Sequence, residues 1–243
     1  MERYSSLRLI VAAIFTLAIG FHMECTEAAS SLQSSPFTRT IYLVRHGAYV
    51  QDDKADPSTG PGLTALGIAQ ARLVAARLRG MPVHFYSMTS STMTRARETA
   101  AVMHETLSDV PMAQSASLSE CGPPTWKAKV EAPSEESLQC QSRIEDAFKT
   151  YFIPAEKAHE NNIIVAHGNV IRYFVAKALG VDTRAWLGMS VAHVSLTLVR
   201  VKADGSMSVL SVGDVGHLPP NMQSWGTDAD LQLSVPAAPK AGS

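Results

Sequence analysis

The amino-acid sequence predicts an α/β fold with a mainly parallel sheet. Predicted strands and helices alternate along the chain, starting with a strand. The first and third strands end alike, in Val44-Arg45-His46-Gly47 and in Val165-Ala166-His167-Gly168. Because the carboxyl ends of parallel strands meet at one edge of a sheet, where open α/β folds place ligands, we expect the two histidines to converge there.

Composition fits a globular protein and excludes one broad class of partner. The 243 residues suffice for one α/β domain with extensions, and a hydrophobic content of 46% provides an ample core. The formal net charge of −1 gives no basic excess, so nucleic acid is not an expected partner.

The N-terminus has the pattern of a targeting segment. Arg3 and Arg8 precede thirteen largely apolar residues, 9–21, and a zone of small residues follows. This predicts a secretory signal peptide over 1–29, and therefore an exported, periplasmic or secreted protein. The alternative is an uncleaved membrane anchor, although the run is short of the about 20 residues that a span needs. Residues 30–39 are Ser-rich and predict a linker.

Turn residues and hydrophobic periodicity place the elements of the first half. The β-branched and aromatic residues of Thr40–Arg45 predict a buried strand. Thr64 is a suitable N-cap for the next helix, and Gly80 a natural stop. The predicted elements are, in order, a strand at 40–45, a loop at 48–62, a helix at 63–80, a strand at 82–88 and a helix at 92–107.

The second half begins with a proline-rich irregular segment at 109–133, which we interpret as a cover over the active site. Ser134-Glu135-Glu136 places acidic residues in the first turn of a helix, as the helix dipole favours. Ala203-Asp204-Gly205 lies between two alternating runs and predicts a hairpin. The further elements are a helix at 134–152, a strand at 163–166, a helix at 170–179, hairpin strands at 194–201 and 206–212, and a flexible tail at 221–243.

The cysteines outside the N-terminal segment are Cys121 and Cys140. Two interpretations stay open for them, a disulfide or two buried free thiols, because sequence spacing does not determine the Cα separation that a disulfide needs.

Polar residues at strand ends and helix starts outline an anion site. Arg45 and His46 end the first strand, Arg95 lies in the first turn of a helix, and His167 and Asn169 follow the third strand. Arginine forks match phosphate oxygens, and helix N-termini add oriented N–H groups. This set predicts a phosphate pocket formed by Arg45, Arg95, His167 and Asn169.

The same set predicts a reaction. A neutral imidazole is a competent nucleophile toward phosphorus, and nearby arginines keep His46 neutral by lowering its pKa. His167 would donate a hydrogen bond to the phosphoryl oxygens, and the arginines would neutralise their charge. Glu120 is the best placed carboxyl to protonate the leaving oxygen. Because the cations are side chains, the scheme needs no metal and no cofactor.

Each of these residues also has a possible structural role without catalysis. A strand-end histidine is often structural, Glu120 has the setting of an ordinary loop glutamate, and His193 and His217 approach the site only if the fold brings them there. Metal binding by His46 and His167 is disfavoured because Arg45 opposes a cation.

Four motifs resemble those of the histidine phosphatase (phosphoglycerate mutase-like) superfamily. They are Arg45-His46-Gly47, Leu63-Thr64 with Gly67 and Gln70-Ala71, Ser90-Ser91 with Arg95-Ala96 and Thr99-Ala100, and Ala166-His167-Gly168-Asn169. The resemblance implies a three-layer α/β/α sandwich over 40–220 and a phosphohistidine intermediate on His46. It implies a phosphate pocket at Arg45, Arg95 and His167, and Glu120 as the proton donor.

Further motifs in the second half are similar to those of the mitochondrial serine/threonine protein phosphatases within that superfamily. They include Pro123-Pro124 with Trp126, Asn169-Val170-Ile171-Arg172-Tyr173 and Gly213-Asp214 with Gly216. The likeness implies hydrolysis of phosphomonoesters, with phosphoproteins as candidate substrates. Ala48 departs from the family, which frequently has glutamate there.

Two alternative functions stay open, a mutase-like phosphotransferase and a non-catalytic module that binds phosphorylated ligands. The loop after His46 offers one basic residue, Lys54, for clamping a phosphorylated metabolite, which favours the phosphatase. The sequence leaves the oligomeric state open.

Overall fold

The computed structural model describes residues 37–56, 58–126 and 132–225. The predicted N-terminal segment 1–29, most of the linker and the tail from 226 onward lie outside these ranges. Among the helices within them, none combines the length and the apolar character that crossing a membrane requires.

The described residues form one six-stranded sheet in the order β3-β2-β4-β1-β5-β6. Its first four strands pair in parallel, whereas β5 is antiparallel to both β1 and β6. Only β5 therefore runs against the others, which confirms a mainly parallel sheet. The strands are β1 (Arg39–Arg45), β2 (Ser87–Ser91), β3 (Met112–Ser115), β4 (Glu160–Ala166), β5 (Leu196–Val201) and β6 (Met207–Asp214).

Helices cover both faces of the sheet. Along β1 the side chains alternate: Ile41 and Leu43 enter one core cluster, and Tyr42 and Val44 enter the other. The first cluster includes residues of α3 and α4, and the second includes residues of α1 and α2. The three-layer α/β/α sandwich is thereby confirmed. The helices are α1 (Ala65–Arg79), α2 (Thr94–Thr106), α3 (Glu135–Tyr151) and α4 (Gly168–Ala178).

Local signals set several boundaries as predicted. The hydroxyl of Thr64 accepts a hydrogen bond from the N–H of Gly67 at 3.1 Å, and Ser134 caps α3 through the N–H of Ser137 at 3.2 Å. β5 and β6 form the predicted hairpin, and Gly205 has the positive φ of +80° that its turn requires.

The strand predicted at 82–88 is wrong, because the strand lies at Ser87–Ser91. Val83 and Tyr86 are exposed in the connection that precedes it. The observed strand, Ser-Met-Thr-Ser-Ser, contains no hydrophobic run that would predict it. Ser90 and Ser91 are nevertheless buried in it, between β3 and β4.

The segment 109–133 is less irregular than predicted. Met112–Ser115 forms the edge strand β3, and Ala116–Leu118 continues as a 3₁₀ helix. The strand residues are largely exposed, so they lack the apolar alternation of a half-buried strand. Two more 3₁₀ helices, at Thr183–Gly188 and Pro220–Met222, were also not predicted.

Cys121 and Cys140 form a disulfide with a Cα–Cα distance of 5.8 Å, which decides between the two interpretations left open by the sequence. Cys140 lies within α3. The disulfide therefore ties the segment that carries Glu120 to the helix layer beneath it.

Candidate active site

The register of the sheet brings the two motif histidines together. Arg45 of β1 pairs with Ala166 of β4, and each strand continues into a histidine. The N–H of His46 donates to the carbonyl of Ala166 at 2.9 Å, and the ring centroids of His46 and His167 are 5.1 Å apart. The convergence expected from the strand ends is present.

The close approach of α1 fixes the backbone after His46. A Cβ on Gly47 would lie 2.6 Å from the carbonyl oxygen of Gly67, so both the turn and the helix start require glycine there. The N–H of Gly47 donates to the Thr99 hydroxyl at 3.0 Å, and the N–H of Ala48 donates to the side-chain carbonyl of Gln70 at 2.9 Å. His46, the candidate nucleophile, is therefore followed by a rigid turn.

Hydrogen bonds define the tautomer of His46, which is only 1% exposed. Its Nδ1 lies 2.9 Å from the carbonyl oxygen of Gly47, which can only accept, so Nδ1 carries the proton. The Nε of Arg95 donates to Nε2 across 3.1 Å. Nε2 therefore keeps its lone pair and faces a guanidinium group.

The surroundings also keep His46 uncharged. Burial, together with the nearby His167 and the guanidiniums of Arg45 and Arg95, holds the pKa of His46 well below its usual value. A neutral imidazole with an unprotonated Nε2 is the form that attacks phosphorus.

His167 takes the N-cap position of α4 and is fully buried. Its Nε2 lies 2.8 Å from the hydroxyl of Ser91 at the end of β2, and its buried Nδ1 has no hydrogen-bond partner among the described residues. Burial and the charges of Arg95 and Arg45 hold the pKa of His167 well below its usual value. The ring is thus a neutral group with one nitrogen available to a ligand.

The two arginines approach from different sides. Arg45 donates through Nη1 to the carbonyls of Val191 at 2.7 Å and of Trp225 at 3.2 Å. Arg95 is buried and stacks over the Tyr49 ring, with its guanidinium carbon 4.9 Å from the ring centroid. A buried and a half-buried cation beside neutral imidazoles favour an anion.

Glu120 lies beside this positive centre. One of its carboxyl oxygens is buried without a hydrogen-bond partner among the described residues. Burial raises the pKa of the Glu120 carboxyl, and the guanidiniums of Arg45 and Arg95 oppose part of that rise. A raised pKa suits a group that must hold a proton before it donates it.

Asn169 reaches the same region, but its side chain is already hydrogen-bonded. Its Nδ2 donates to the carbonyl of Cys121 at 2.9 Å, and its Oδ1 accepts from Arg172 at 2.6 Å. The backbone N–H of Asn169 also bonds Glu120. Asn169 therefore links the segment of Glu120 to the start of α4.

His193 was left undecided by the sequence, and the structure places it in the site. Its ring centroid lies 5.4 Å from that of His46. The pairing of Val44 with Leu196 makes the start of β5 adjacent to the end of β1, so an antiparallel assignment for that strand would have located it. His217 lies elsewhere, beside Arg77.

No group of three or more His, Cys, Asp or Glu residues with metal-binding geometry occurs among residues 37–56, 58–126 and 132–225. The charge that the site offers an anion comes from Arg45 and Arg95.

The solved structures similar to this chain share its fold. A phosphoglycerate mutase from Plasmodium falciparum matches with a TM-score of 0.55 and 27% identity, covering 75% of this chain and 95% of its own. A phosphoglycerate mutase from Bacillus anthracis str. Sterne matches with a TM-score of 0.57 and 20% identity, covering 74% and 95%. The predicted phosphoglycerate mutase-like fold is confirmed.

Curated relatives are phosphatases. The chain is 38% identical over 200 residues to the mitochondrial serine/threonine-protein phosphatase Pgam5 of Caenorhabditis elegans, covering 77% of this chain and 67% of the relative. It is 36% identical over 189 residues to the corresponding protein of Xenopus tropicalis, covering 75% and 67%. The predicted phosphatase is confirmed, and its substrate is phosphorylated.

The prediction of a signal peptide and export is wrong, because these relatives are named as mitochondrial proteins. A basic stretch followed by an apolar run indicates a targeting or anchoring segment, but its charge and length do not specify the compartment. The alternative of an N-terminal anchor concerns residues 1–29, outside the described ranges, and stays a prediction.

Residues 41–214 match the histidine phosphatase superfamily (branch 1), a range that includes His46, Arg95, Glu120 and His167. This chain belongs to the histidine phosphatase superfamily.

Proposed function

We propose that this protein hydrolyses phosphomonoesters in two steps with His46 as the nucleophile. The proposal rests mainly on the hydrogen bonds of His46. The buried ring donates from Nδ1 to the carbonyl of Gly47, so Nε2 presents its lone pair to the cationic Arg95. An arriving phosphoryl group brings negative charge to that cation and phosphorus to that nitrogen.

In the first step the lone pair of His46 Nε2 forms a bond to phosphorus as the ester P–O bond breaks. Glu120 gives its proton to the departing oxygen, which leaves as a neutral alcohol. The raised pKa of Glu120 supports this role, since an ordinary glutamate would be ionised near neutral pH.

In the second step water attacks the phosphohistidine and the P–N bond breaks. The Glu120 carboxylate accepts a proton from the water, and inorganic phosphate leaves. Nδ1 of His46 keeps its proton and its bond to Gly47 throughout, so the ring is ready for another cycle.

We assign the stabilisation of the transferred group to Arg45, Arg95 and His167. Arg95 donates directly to Nε2 of His46, and Arg45 and His167 are close enough to lower the pKa of His46. Burial of Arg95 and His167 strengthens their attraction for phosphoryl oxygens. Asn169 we assign to positioning Glu120, because both ends of its amide are bonded to protein groups.

The substrate class follows from access to the site. A cleft of about 360 Å³ is lined by Tyr49, Met93 and Arg95, the residue that donates to His46, and the exposed loop 51–56 forms another wall. Such an opening leaves room for the alcohol part of a bulky phosphomonoester. Together with the names of the relatives, this supports phosphoserine and phosphothreonine proteins as substrates.

The names of the relatives also support a mitochondrial location for this chain. Fractionation of cells that express a C-terminally tagged full chain tests it, since a tag recovered in the medium or periplasm contradicts it. Membrane attachment through residues 1–29 is tested by carbonate extraction of the same fractions.

The experiment for the activity is phosphate release from a phosphoserine peptide and from an aryl phosphate, without added metal. We expect turnover by the wild-type chain and a loss of more than about 10³-fold in His46→Ala, as for other enzymes that lose a nucleophile. A product formed only when 3-phosphoglycerate accepts the phosphoryl group would instead indicate a mutase.

A further inference from the structure

We propose that His193 is a third imidazole of the phosphoryl site, donating a hydrogen bond from Nε2 to the transferred group, and that Ser224 holds its ring in the tautomer that can donate. The inference rests on the proposed function and adds a catalytic residue to it. The motifs that outlined the site did not include His193.

His193 is buried beside the nucleophile. The side chain is 2% exposed, and its ring faces His46 at 5.4 Å and Tyr49 at 6.1 Å between centroids. Its buried Nε2 has no hydrogen-bond partner among the described residues. Buried polar atoms are almost always paired, so an unpaired nitrogen beside a nucleophile indicates a ligand that pairs with it.

The side-chain amide of Gln70 has an unambiguous orientation. Its Oε1 accepts from the N–H of Ala48 at 2.9 Å, so its Nε2 is the donor at the other end. That nitrogen donates to the carbonyl of Met222 at 2.6 Å and to the hydroxyl of Ser224 at 3.0 Å. Ser224 is therefore an acceptor toward Gln70.

The hydroxyl of Ser224 lies 2.8 Å from Nδ1 of His193. Because Gln70 already donates to this hydroxyl, we assign the hydroxyl's own proton to the bond with Nδ1. A neutral ring that accepts at Nδ1 carries its proton at Nε2. Burial and the charges of Arg45 and Arg95 lower the pKa of His193 to about 3, so the ring is neutral and donates from Nε2 only.

The backbone supports the ring from two sides. The N–H of His193 donates to the carbonyl of Ser224 at 2.8 Å, and the N–H of Val194 donates to the carbonyl of Arg45 at 3.1 Å. Val194 has a φ of +49°, which is unfavourable for a β-branched residue and persists only where the surroundings enforce it. Val194 directly follows His193, so this strained backbone lies next to the ring.

The segment 220–225 is therefore part of the site. Met222 and Ser224 bond Gln70, Ser224 bonds His193, and the carbonyl of Trp225 accepts from Arg45. This segment holds both the third imidazole and one guanidinium in place.

The test compares His193→Phe, which keeps a ring but removes both nitrogens, with His193→Gln, whose side-chain NH₂ can reach the place of Nε2. We expect His193→Phe to lower kcat/KM by about 10- to 100-fold, as for a lost hydrogen bond to a charged group. Binding of orthovanadate, an analogue of the pentavalent phosphoryl group, should weaken by a similar factor. His193→Gln should restore most of both losses, and exposed His84→Gln is the matched control with no effect.

Ser224→Ala leaves the His193 ring in place and removes the group that selects its tautomer. We expect an intermediate weakening of vanadate binding, which keeps the test valid even if His193→Phe does not fold. Unchanged vanadate binding in folded His193→Phe overturns the proposal, as does an equal loss in the Gln and Phe variants, which would indicate a packing role. A wild-type chain that binds vanadate but forms no phosphoenzyme would refute the proposed covalent mechanism while leaving the contact of His193 measurable.

Discussion

The Nε of Arg95 donates to the Nε2 of His46 across 3.1 Å, so the nucleophilic atom is occupied until an anion arrives. A phosphoryl oxygen offers Arg95 a stronger, charge-assisted partner than a neutral imidazole does. Substrate binding would therefore draw the guanidinium away from Nε2 and free the lone pair at the moment phosphorus approaches it. This contact predicts that anion binding and release of the nucleophile are coupled through Arg95.

Replacing Arg95 tests this coupling. Arg95→Met should lower kcat/KM by about 10²- to 10³-fold, the effect of removing one charged donor to a transition state. It should also raise the pKa of His46, because Arg95 is one of the cations that lower it. Activity measurements and NMR titration of the His46 ring check the two effects.

Arg97→Met is the matched control, since Arg97 lies on the same helix with its side chain exposed. The control should leave activity and the His46 titration unchanged. An Arg95→Met variant that behaves like the control would contradict the coupling.

Glu120→Gln tests the proton donor. We expect a loss of at least about 10²-fold toward a phosphoserine peptide, whose alkoxide leaving group needs a proton, and a much smaller loss toward nitrophenyl phosphate. The wild-type kcat/KM should fall as pH rises through the raised pKa of Glu120, because only the protonated carboxyl donates. That alkaline fall should be absent in the variant.

Equal losses toward the two substrates would assign Glu120 to binding rather than to proton transfer. Glu136→Gln, at an exposed position in the first turn of α3, is the control that makes the same substitution away from the site.

The disulfide predicts a link between redox state and both stability and catalysis. Cys140→Ser should lower the free energy of unfolding by about 2–4 kcal/mol, the usual contribution of a disulfide that closes a loop of this size. It should also lower kcat/KM, because Cys121 directly follows Glu120, accepts a hydrogen bond from Asn169 and is anchored to α3 by the disulfide. Denaturant unfolding and kinetics with and without reductant check both effects, and a reduced enzyme with unchanged stability would contradict them.

The buried neutral histidines predict a loss of stability in acid. The pKa values of His46, His167 and His193 in the folded chain lie below the usual 6.5, that of His193 at about 3. As pH falls below about 6.5, these histidines take up protons in the unfolded chain but not in the folded one, so their contribution to stability is fully present above that pH and is lost as the pH falls, for His193 down to about 3. Calorimetric Tm values across this range should decline, and the decline should be shallower in His193→Phe but not in His84→Gln.

Much of the fold could be predicted because its elements carry local signals. β1 and β4 contain apolar runs and are each followed by His-Gly, α1 has a threonine cap, and the hairpin has a glycine turn. β2 and β3 could not, since Ser87–Ser91 is buried without being apolar and Met112–Ser115 is a short exposed edge. β2 is a strand because it pairs with β4, and β3 because it pairs with β2, and both pairings are tertiary effects.

The residues of the site likewise differ in whether a local signal in the sequence predicts them. His46 and His167 were predictable because each follows a buried strand directly, and parallel pairing makes such positions neighbours. His193 precedes an antiparallel strand, and Ser224 lies in a segment without regular structure, so neither has a local signal. The prediction of export was wrong because the basic and apolar pattern of the N-terminal segment does not specify the cellular compartment.

The central claim is that His46 carries the phosphoryl group, and trapping the phosphoenzyme tests it most directly. The full chain is mixed with a radiolabelled phosphomonoester, quenched in alkali within one turnover, and the labelled peptide is sequenced. We expect label on the peptide that contains His46, stable in alkali and released by acid, and none in His46→Ala. Label on another residue, or equal turnover by His46→Ala and wild type, would contradict the claim.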